Sequence, residues 1–209
     1  MNPKGTEPPI RVLTPRQYVQ LLPTMRRNLS GWMVEGDAGW NRRLHNIDYL
    51  MCRSVGDTPF SHSNDPFENS YEPPRFASSQ FGRQDTILVY MLQDAPVGIA
   101  IIARLRDVIE IDTLYTHVGQ SHAGSVLVEH IVNHYCGAPP CPIRIYAMPA
   151  AYPFWRNCGF EIAWSPRAVS SSTPRHGSMT LRVATSYRWT HVEGKWRLAA
   201  YSHWPRYMI

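Results

Sequence analysis

The chain has 209 residues, 44% hydrophobic and 18% charged, which allows a sizeable buried core and excludes global disorder. Its formal net charge is +5, which favours acidic partners such as a nucleotide or a nucleic acid, although the basic residues are scattered rather than clustered. No apolar run approaches membrane-spanning length and the N-terminus has no signal-peptide pattern. We therefore expect a soluble cytoplasmic protein with no membrane partner, and export by a specialised route stays open.

The N-terminal part predicts one short strand and one helix. Residues 1–9 are polar and proline-rich and are expected to be loose, and a short strand covers 11–13. Thr14 and Pro15 are typical of an N-cap and a first helical residue. Apolar residues then recur at helical spacing, and Pro23 is expected to kink or end this helix.

Two further segments precede the strands. Residues 41–55 carry an apolar stripe at helical spacing, which predicts a second helix. Residues 56–85 are rich in proline, serine, asparagine and aspartate, with aromatic residues interspersed. The apolar residues of this segment follow neither helical nor strand periodicity, which predicts a long loop. This loop is either a partly ordered substrate lid or a disordered segment.

A strand-rich region follows and predicts an α+β fold with a mixed sheet in one domain that spans 1–209. The predicted strands are 86–92, 97–105, 108–116, 142–148, 160–166 and 178–184, and a C-terminal hairpin lies within 186–209. Short turns make the first three strands an antiparallel meander, and Glu193-Gly194 forms the hairpin turn. Helices are predicted at 123–135 and 150–157, and a loop at 166–177.

The cysteines and histidines do not indicate a metal site. The four cysteines are Cys52, Cys136, Cys141 and Cys158. They form no CxxC pair, and we expect reduced, packed thiols. Glu129, His130 and His134 have helical spacing, but both histidines fall off the apolar stripe. We therefore predict a solvated helix face and no metal.

Two segments carry the functional information. VGQSHAGS, at 118–125, is a turn of small residues between a strand and an apolar helix. AAYPFWRNCGFE, at 150–161, places an alanine, an aromatic pair and polar residues ahead of Gly159-Phe160. In order and spacing they resemble the two cofactor-facing motifs of the GNAT N-acetyltransferase superfamily. The resemblance implies a GNAT-like, mostly antiparallel central sheet flanked by helices, with the C-terminal hairpin as an extra element.

The resemblance also implies that acetyl-CoA is the co-substrate. Backbone N–H groups at a helix start can bind its pyrophosphate, small residues allow a close approach, and the preceding strand hydrogen-bonds the pantetheine arm. The implied cofactor-binding residues are Leu114, Tyr115, Thr116, Gly119, Gln120, Ser121, His122, Ala123, Gly124, Ser125, Trp155 and Asn157.

The family turn has the form Q/R-x-x-G-x-G/A, and two registers fit it. Either Gln120 opens the motif, or Gly124 is its last small residue and His122 replaces a glycine. Helix phase favours the second register, because it places Leu127 and Val128 on the buried side.

The catalytic acid and base are less well defined. The tyrosine that often protonates the leaving thiolate in this family aligns with Trp155, and an indole cannot supply that proton. Tyr152 is the nearest substitute, although it also suits packing on the sheet. Glu110 and Asp112 lie two apart on a strand, so both are expected to face one side, with Leu114 continuing it.

Either carboxylate could deprotonate the acceptor amine, directly or through water, and a solvent-facing pair without a role is the alternative. His117 and His122 lie near the turn and are further candidates for a base.

The implied function is acetyl-CoA-dependent transfer of an acetyl group to a primary amine by direct attack on the thioester. One alternative is a non-catalytic GNAT-fold binding protein. Another is an acetyltransferase acting on a protein lysine, a protein N-terminus or charged tRNA. Arginines interleave with aromatics in the C-terminal tail, which suits nucleic acid, but packing on the core or a homodimer interface is favoured. These tail residues are Tyr187, Arg188, Trp189, Trp196, Arg197, Tyr201, Trp204 and Arg206.

Overall fold

A computed structural model of the chain describes residues 9–26, 85–92, 95–116, 122–147, 151–162 and 177–199. The helices among these residues are α1 (Pro15–Arg26), α2 (Ala123–Tyr135) and α3 (Tyr152–Asn157). The strands are β1 (Ile10–Leu13), β2 (Asp85–Leu92), β3 (Ala95–Leu105), β4 (Val108–Thr116), β5 (Ile143–Ala147), β6 (Glu161–Ile162), β7 (Gly177–Leu181), β8 (Trp189–Val192) and β9 (Lys195–Leu198). The predicted helix at 41–55 lies outside the described residues. So do the predicted loops at 56–85 and 166–177, except for their last residues, Asp85 and Gly177, which begin β2 and β7.

The first seven strands form one sheet in the order β1-β2-β3-β4-β5-β7-β6. All neighbouring strands are antiparallel except β4 and β5, which are parallel. The predicted mixed, mostly antiparallel sheet is therefore confirmed, and so is the meander of β2, β3 and β4. The strand predicted at 178–184 is shorter in the structure, because a 3₁₀ turn at Val183–Thr185 follows β7.

Apolar side chains pack on both faces of this sheet. One cluster joins α2 to the sheet through fully buried side chains such as Leu127, Ile131 and Ile143. The other joins α1 to β2, β3 and the end of β4 through Leu22 and Ile99. Because central strands are covered on both faces, their sequences are continuous apolar runs rather than alternating ones. Within the described residues, no helix has the length and apolarity to span a bilayer.

Helix α1 begins as the sequence predicts. The Gln17 N–H donates to Thr14 Oγ1 at 3.3 Å, and the Thr14 N–H donates to Gln17 Oε1 at 2.8 Å. This reciprocal capping box satisfies two N–H groups at the helix start. The helix continues through Pro23 to Arg26. Pro23 therefore does not end it, and burial of Leu22 against the sheet offsets the lost backbone bond.

The C-terminal hairpin of β8 and β9 packs on α2. Its turn has positive φ at Glu193 and Gly194, as two-residue hairpin turns require. The Asn133 side chain of α2 donates to Trp196 O and accepts from Trp196 N, at 2.9 and 2.8 Å. Arg197 donates to Glu129 of α2 at 2.7 Å. Trp189, Trp196 and Arg197 therefore take part in packing, which agrees with the favoured prediction, whereas Tyr187 is 81% exposed. Tyr201, Trp204 and Arg206 lie outside the described residues.

Candidate functional site

The sheet opens between β4 and β5. Their parallel ladder has three register pairs and ends at the pair of Ile111 with Ile145. Both strands continue past that point: β4 stays paired with β3 as far as Thr116, and β5 stays paired with β7 as far as Ala147. Within the described part of the chain, the last residues of β4 therefore have no ladder partner on their β5 side. An extended ligand could add to this edge by backbone hydrogen bonds.

A β-bulge lies where the ladder ends. On β3, Ile101 pairs with Thr113 and Ile102 pairs with Ile111, so Asp112 is the additional residue of β4. The bulge shifts the alternation of side chains by one position. Leu114 consequently packs with the α2 cluster instead of continuing the side of Glu110.

The bulge therefore corrects the expectation that Glu110, Asp112 and Leu114 share one face. Glu110 is 8% exposed and pairs with Ala103, on the face opposite α2. Asp112 is exposed. The two candidate bases thus lie in different environments, a buried one and a solvated one.

Glu110 is held by an arginine of the neighbouring strand. Arg144, its register partner on β5, donates from Nε and Nη2 to Glu110 Oε2 at 2.9 and 2.5 Å. The hydrogen bond to Glu110 is the main reason that the pKa of the Arg144 guanidinium is raised. A buried carboxylate in such a pair is compensated and oriented, and it must leave the arginine to act as a free base.

The N-terminus of α2 lies at the same end of β4. His122 precedes the helix with φ 69° and ψ −3°, a left-handed conformation that glycine adopts most easily. The first intrahelical bond runs from the Val126 N–H to His122 O at 3.0 Å. The N–H groups of Ala123, Gly124 and Ser125 come before it and point out of the helix end.

These observations agree with the second register of the turn, in which His122 stands where the family has a glycine. Leu127 and Val128 are both fully buried, as that register requires. The Ser125 hydroxyl donates back to His122 O at 2.8 Å, so its contribution to an anion would come from its N–H. Gly119, Gln120 and Ser121, together with His117, lie outside the described residues.

Small residues bring α2 close to its neighbours. A Cβ added to Gly124 would lie 2.9 Å from Phe154 Cζ of α3 and 3.5 Å from Leu114 Cδ2 of β4. A Cβ on Gly98 of β3 would lie 2.9 Å from Leu127 Cδ1. Glycines at these two positions allow the start of α2 to pack closely against β3 and β4. Phe154, which the sequence did not single out, thus lies beside the helix start, and only its place in the aromatic pair could have indicated it.

Helix α3 ends in a Schellman motif that explains the Gly159-Phe160 signature. Gly159 has φ 86°, and its N–H donates to Arg156 O at 2.9 Å. The Phe160 N–H donates to Trp155 O at 2.9 Å. The rings of Trp155 and Phe160 meet edge to face at 5.0 Å, which is the apolar contact that accompanies this motif.

Trp155 therefore has a packing role. Its side chain is 7% exposed and lies in the α2 cluster between Phe154 and Phe160. Trp189 of the hairpin packs nearby, and its Nε1 donates to Cys158 O at 2.9 Å at the end of α3. A further contact of Trp155 or of the half-buried Asn157 with the cofactor stays a prediction.

Tyr152 lies at the far side of β5 from the opening. A Cβ on Gly177, the first residue of β7, would overlap Tyr152 Oη. Gly177 is the register partner of Ala147 at the end of β5. The hydroxyl thus lies over the β5–β7 pair, one strand away from β4, and its role as an acid stays a prediction.

Two buried tyrosines connect α1 to the open end of β4. The hydroxyls of Tyr18 and Tyr115 are 2.8 Å apart, and both side chains are buried. Burial, and to a lesser extent Tyr18, raises the pKa of Tyr115 well above its usual value, so that this hydroxyl stays protonated. Tyr115 was expected among the cofactor-binding residues, but its side chain points towards α1. Only its backbone remains for a ligand.

The described cysteines form no disulfide. These are Cys136, Cys141 and Cys158, and burial raises the pKa of the Cys136 thiol. Cys52 lies outside the described residues. Among the residues that the structure describes, no group of three or more metal-ligating side chains is found. On α2, Glu129 is bound to the hairpin and the rings of His130 and His134 stack 4.2 Å apart.

Comparison with known proteins gives matches only among solved structures. No family model matches the chain, and no curated protein matches it. The chain is similar to PaiA N-acetyltransferase from Thermoplasma acidophilum, solved in complex with coenzyme A. The identity is 13%, the match covers 82% of this chain and 96% of that chain, and the TM-score is 0.47.

Two further solved structures also match most of the chain at low sequence identity. A GCN5-related N-acetyltransferase from Rhodopseudomonas palustris is 13% identical over 86% of this chain and 98% of that chain, with a TM-score of 0.47. Tetrahymena GCN5 is 12% identical over 82% of this chain and 93% of that chain, with a TM-score of 0.45. The first two of these structures are named as N-acetyltransferases. Likeness at this level says nothing about the substrate of this chain.

Proposed function

We propose that the chain is an acetyl-CoA-dependent N-acetyltransferase that moves an acetyl group to a primary amine by direct attack on the thioester. The observation that carries this proposal is the opening of the sheet between β4 and β5 beside the start of α2. An extended chain and an anionic group can be bound there together, which is what a pantetheine arm with its pyrophosphate requires.

The residues at this site fit such a ligand. The edge of β4 from Leu114 to Thr116 offers backbone groups to the amides of the pantetheine arm. At the start of α2, the N–H groups of Ala123, Gly124 and Ser125 offer donors to phosphate oxygens, and no acidic side chain occupies the first turn. Gly124 lets Phe154 of α3 and Leu114 of β4 pack closely beside this helix start.

For this acetyl transfer, the main task of the protein is to position the amine beside the thioester. The amine nitrogen bonds to the acetyl carbon, the carbon–sulfur bond breaks, the amine loses a proton, and the thiolate gains one. No covalent enzyme intermediate is needed, so the reaction does not require an activated cysteine. Asp112 is the exposed candidate for the base, Glu110 is the paired one, and Tyr152 is the candidate acid.

Calorimetry with acetyl-CoA, followed by thiol release across a panel of amines, tests this proposal. We expect binding, and thiol release with at least one class of amine. Tyr152→Phe should lower kcat far more than acetyl-CoA affinity if Tyr152 is the acid. Asp112→Asn and Glu110→Gln should shift the pH–rate profile if either is the base, with Asp107→Asn in an exposed turn as the control. If acetyl-CoA does not bind measurably, the proposal is wrong.

A non-catalytic binding protein is the second candidate, and specific observations favour it. Trp155 stands at the position of the usual acid and is buried in the core, Tyr152 lies one strand away, and Glu110 is held by Arg144. In this case acetyl-CoA binds without thiol release for any amine. The same two measurements therefore separate the candidates.

A further inference from the structure

The hydrogen-bonding capacity of Arg144 is only partly used. A guanidinium has five N–H donors in one plane, grouped as a side fork of Nε and Nη2 and an end fork of Nη1 and Nη2. The two donors of the side fork both reach Glu110 Oε2. Within the described residues, the end fork has no hydrogen-bond partner, and 35% of the Arg144 side chain is exposed. A second planar anion can therefore bind the same guanidinium.

Arg144 lies at the rim of the opening. On β5 it comes directly before Ile145, which forms the last pair of the β4–β5 ladder. Ile143 and Ile145 belong to the α2 cluster, so Arg144 and the following Tyr146 lie on the opposite face. The proposed cofactor phosphates lie at the start of α2. The face that holds Arg144 is thus the side of the opening opposite the start of α2, and an acceptor would approach from there.

Tyr146 completes this surface. Its side chain is 59% exposed, and the Arg144 guanidinium lies 5.7 Å from the ring centroid. This contact, together with the two bonds to Glu110, fixes the plane of the guanidinium before any ligand arrives. A pre-oriented fork loses little side-chain entropy when it binds a carboxylate, which favours that anion over a neutral group.

The charges around the opening match a zwitterion. Glu110 compensates the single positive charge of Arg144, and the exposed Asp112 lies at the bulge. An ammonium group is attracted to the carboxylates, and a carboxylate can accept two hydrogen bonds from the end fork of Arg144. A simple alkylamine would leave the fork unsatisfied, and an acceptor with only an anion would meet Asp112 and Glu110.

We propose that Arg144 binds a carboxylate of the acceptor, so that the acceptor is a small amine that carries its own carboxylate, of the amino-acid type. This inference rests on the proposed function, because transfer to an amine is what calls for an acceptor at this place. Tyr146 forms the wall against which the acceptor lies.

The first experiment measures thiol release from acetyl-CoA with L-amino acids and with the corresponding carboxamides. We expect the native protein to prefer the carboxylate form about tenfold or more in kcat/KM, the usual range for a charged hydrogen bond. Arg144→Lys keeps the charge beside Glu110 but has no fork. It should raise KM for the amino acids by a larger factor than KM for the carboxamides, so that the preference for the carboxylate form is lost. Arg197→Lys, on the distant hairpin, is the matched control and should change neither.

The second experiment needs no turnover. Saturation-transfer NMR with coenzyme A present compares binding of N-acetyl amino acids with binding of their amides. The native protein should bind the carboxylate form preferentially, and Arg144→Lys should lose that preference. If Arg144→Lys does not fold, Tyr146→Ala at the exposed surface replaces it. We then expect the preference for the carboxylate form over the amide to fall about threefold or more, the scale of an exposed cation–π contact.

The outcomes separate the two proposals. Thiol release with no preference for a carboxylate, or an equal loss on both substrates in Arg144→Lys, overturns the acceptor site and leaves the transferase. No thiol release with any amine, but preferential binding of the carboxylate probe that Arg144→Lys abolishes, overturns the transferase and keeps the site. Equal or undetectable binding of the two probes, without turnover, overturns both.

Discussion

Replacing Gly159 by alanine tests how the end of α3 is built. Gly159 has φ 86°, a left-handed conformation that costs an alanine about 1–2 kcal/mol. An added Cβ would also lie 2.5 Å from Ser186 Oγ and 3.2 Å from Arg188 Cβ. Such overpacking costs about 1–3 kcal/mol. We therefore expect Gly159→Ala to lower the free energy of unfolding by about 2–5 kcal/mol.

Gly194 provides a matched control. It has φ 75° in the hairpin turn, and no atom lies within 4 Å of the Cβ position. Gly194→Ala should thus lose only the backbone part of the effect, about 1–2 kcal/mol. The difference between the two variants is the contact with Ser186 and Arg188. With a urea m-value of about 2 kcal/mol/M, it corresponds to a difference in midpoint of about 0.5–1.5 M.

Urea unfolding followed by tryptophan fluorescence measures both midpoints. Ser186→Ala in the Gly159→Ala background removes the closest contact and should recover part of the loss. Equal losses in Gly159→Ala and Gly194→Ala would refute the packing of residue 159 against the segment before β8. A loss below about 1 kcal/mol in Gly159→Ala would refute the left-handed cap as well.

Three further changes test other parts of the structure. Asn133→Ala removes two hydrogen bonds to the hairpin and should lower the free energy of unfolding by about 2 kcal/mol in a urea titration; an unchanged midpoint would contradict this docking. Burial raises the pKa of Tyr115, so its contribution to stability is complete below about pH 10 and is lost as the unfolded tyrosine ionises above that. The urea midpoint should fall between about pH 8 and pH 11, and this fall should be smaller for Tyr115→Phe than for the native protein. An equal fall in both proteins would contradict the prediction. Gly124→Ala should weaken acetyl-CoA binding about tenfold in calorimetry, because its Cβ displaces Phe154. Overpacking costs about 1–3 kcal/mol, and the helix propensity of alanine offsets about 1 kcal/mol of it. The free energy of unfolding should therefore fall by no more than about 2 kcal/mol, and unchanged affinity would count against the site.

The regular elements were predictable where local chemistry and burial agree. Helix α2 has the predicted limits, Ala123 and Tyr135, because its apolar stripe is continuous and a turn precedes it. The capping box at Thr14 and the hairpin turn at Glu193-Gly194 follow from residue types that suit those conformations. Each of these predictions depends on neighbours within a few residues.

The candidate site depends on contacts that the sequence does not mark. The bulge at Asp112 changes which residues share a face, and no residue type in the sequence of β4 marks where the additional residue is inserted. The pairing of Glu110 with Arg144 joins strands far apart in the chain and needs the parallel register. The segment AAYPFWRNCGFE at 150–161 fits both a contact with a cofactor and a Schellman motif at the end of α3. The sequence does not show which side Trp155 faces, and only the structure places its side chain in the core.

Hydrogen exchange of backbone amides, with and without acetyl-CoA, tests the central claim most directly. If the opening between β4 and β5 receives the cofactor, exchange should slow at residues 113–116 and at 122–125 when acetyl-CoA is bound. The hairpin at 189–198 serves as the internal reference and should not change. Bound acetyl-CoA that leaves both segments unprotected, or that protects only the hairpin, would contradict the assignment of the site.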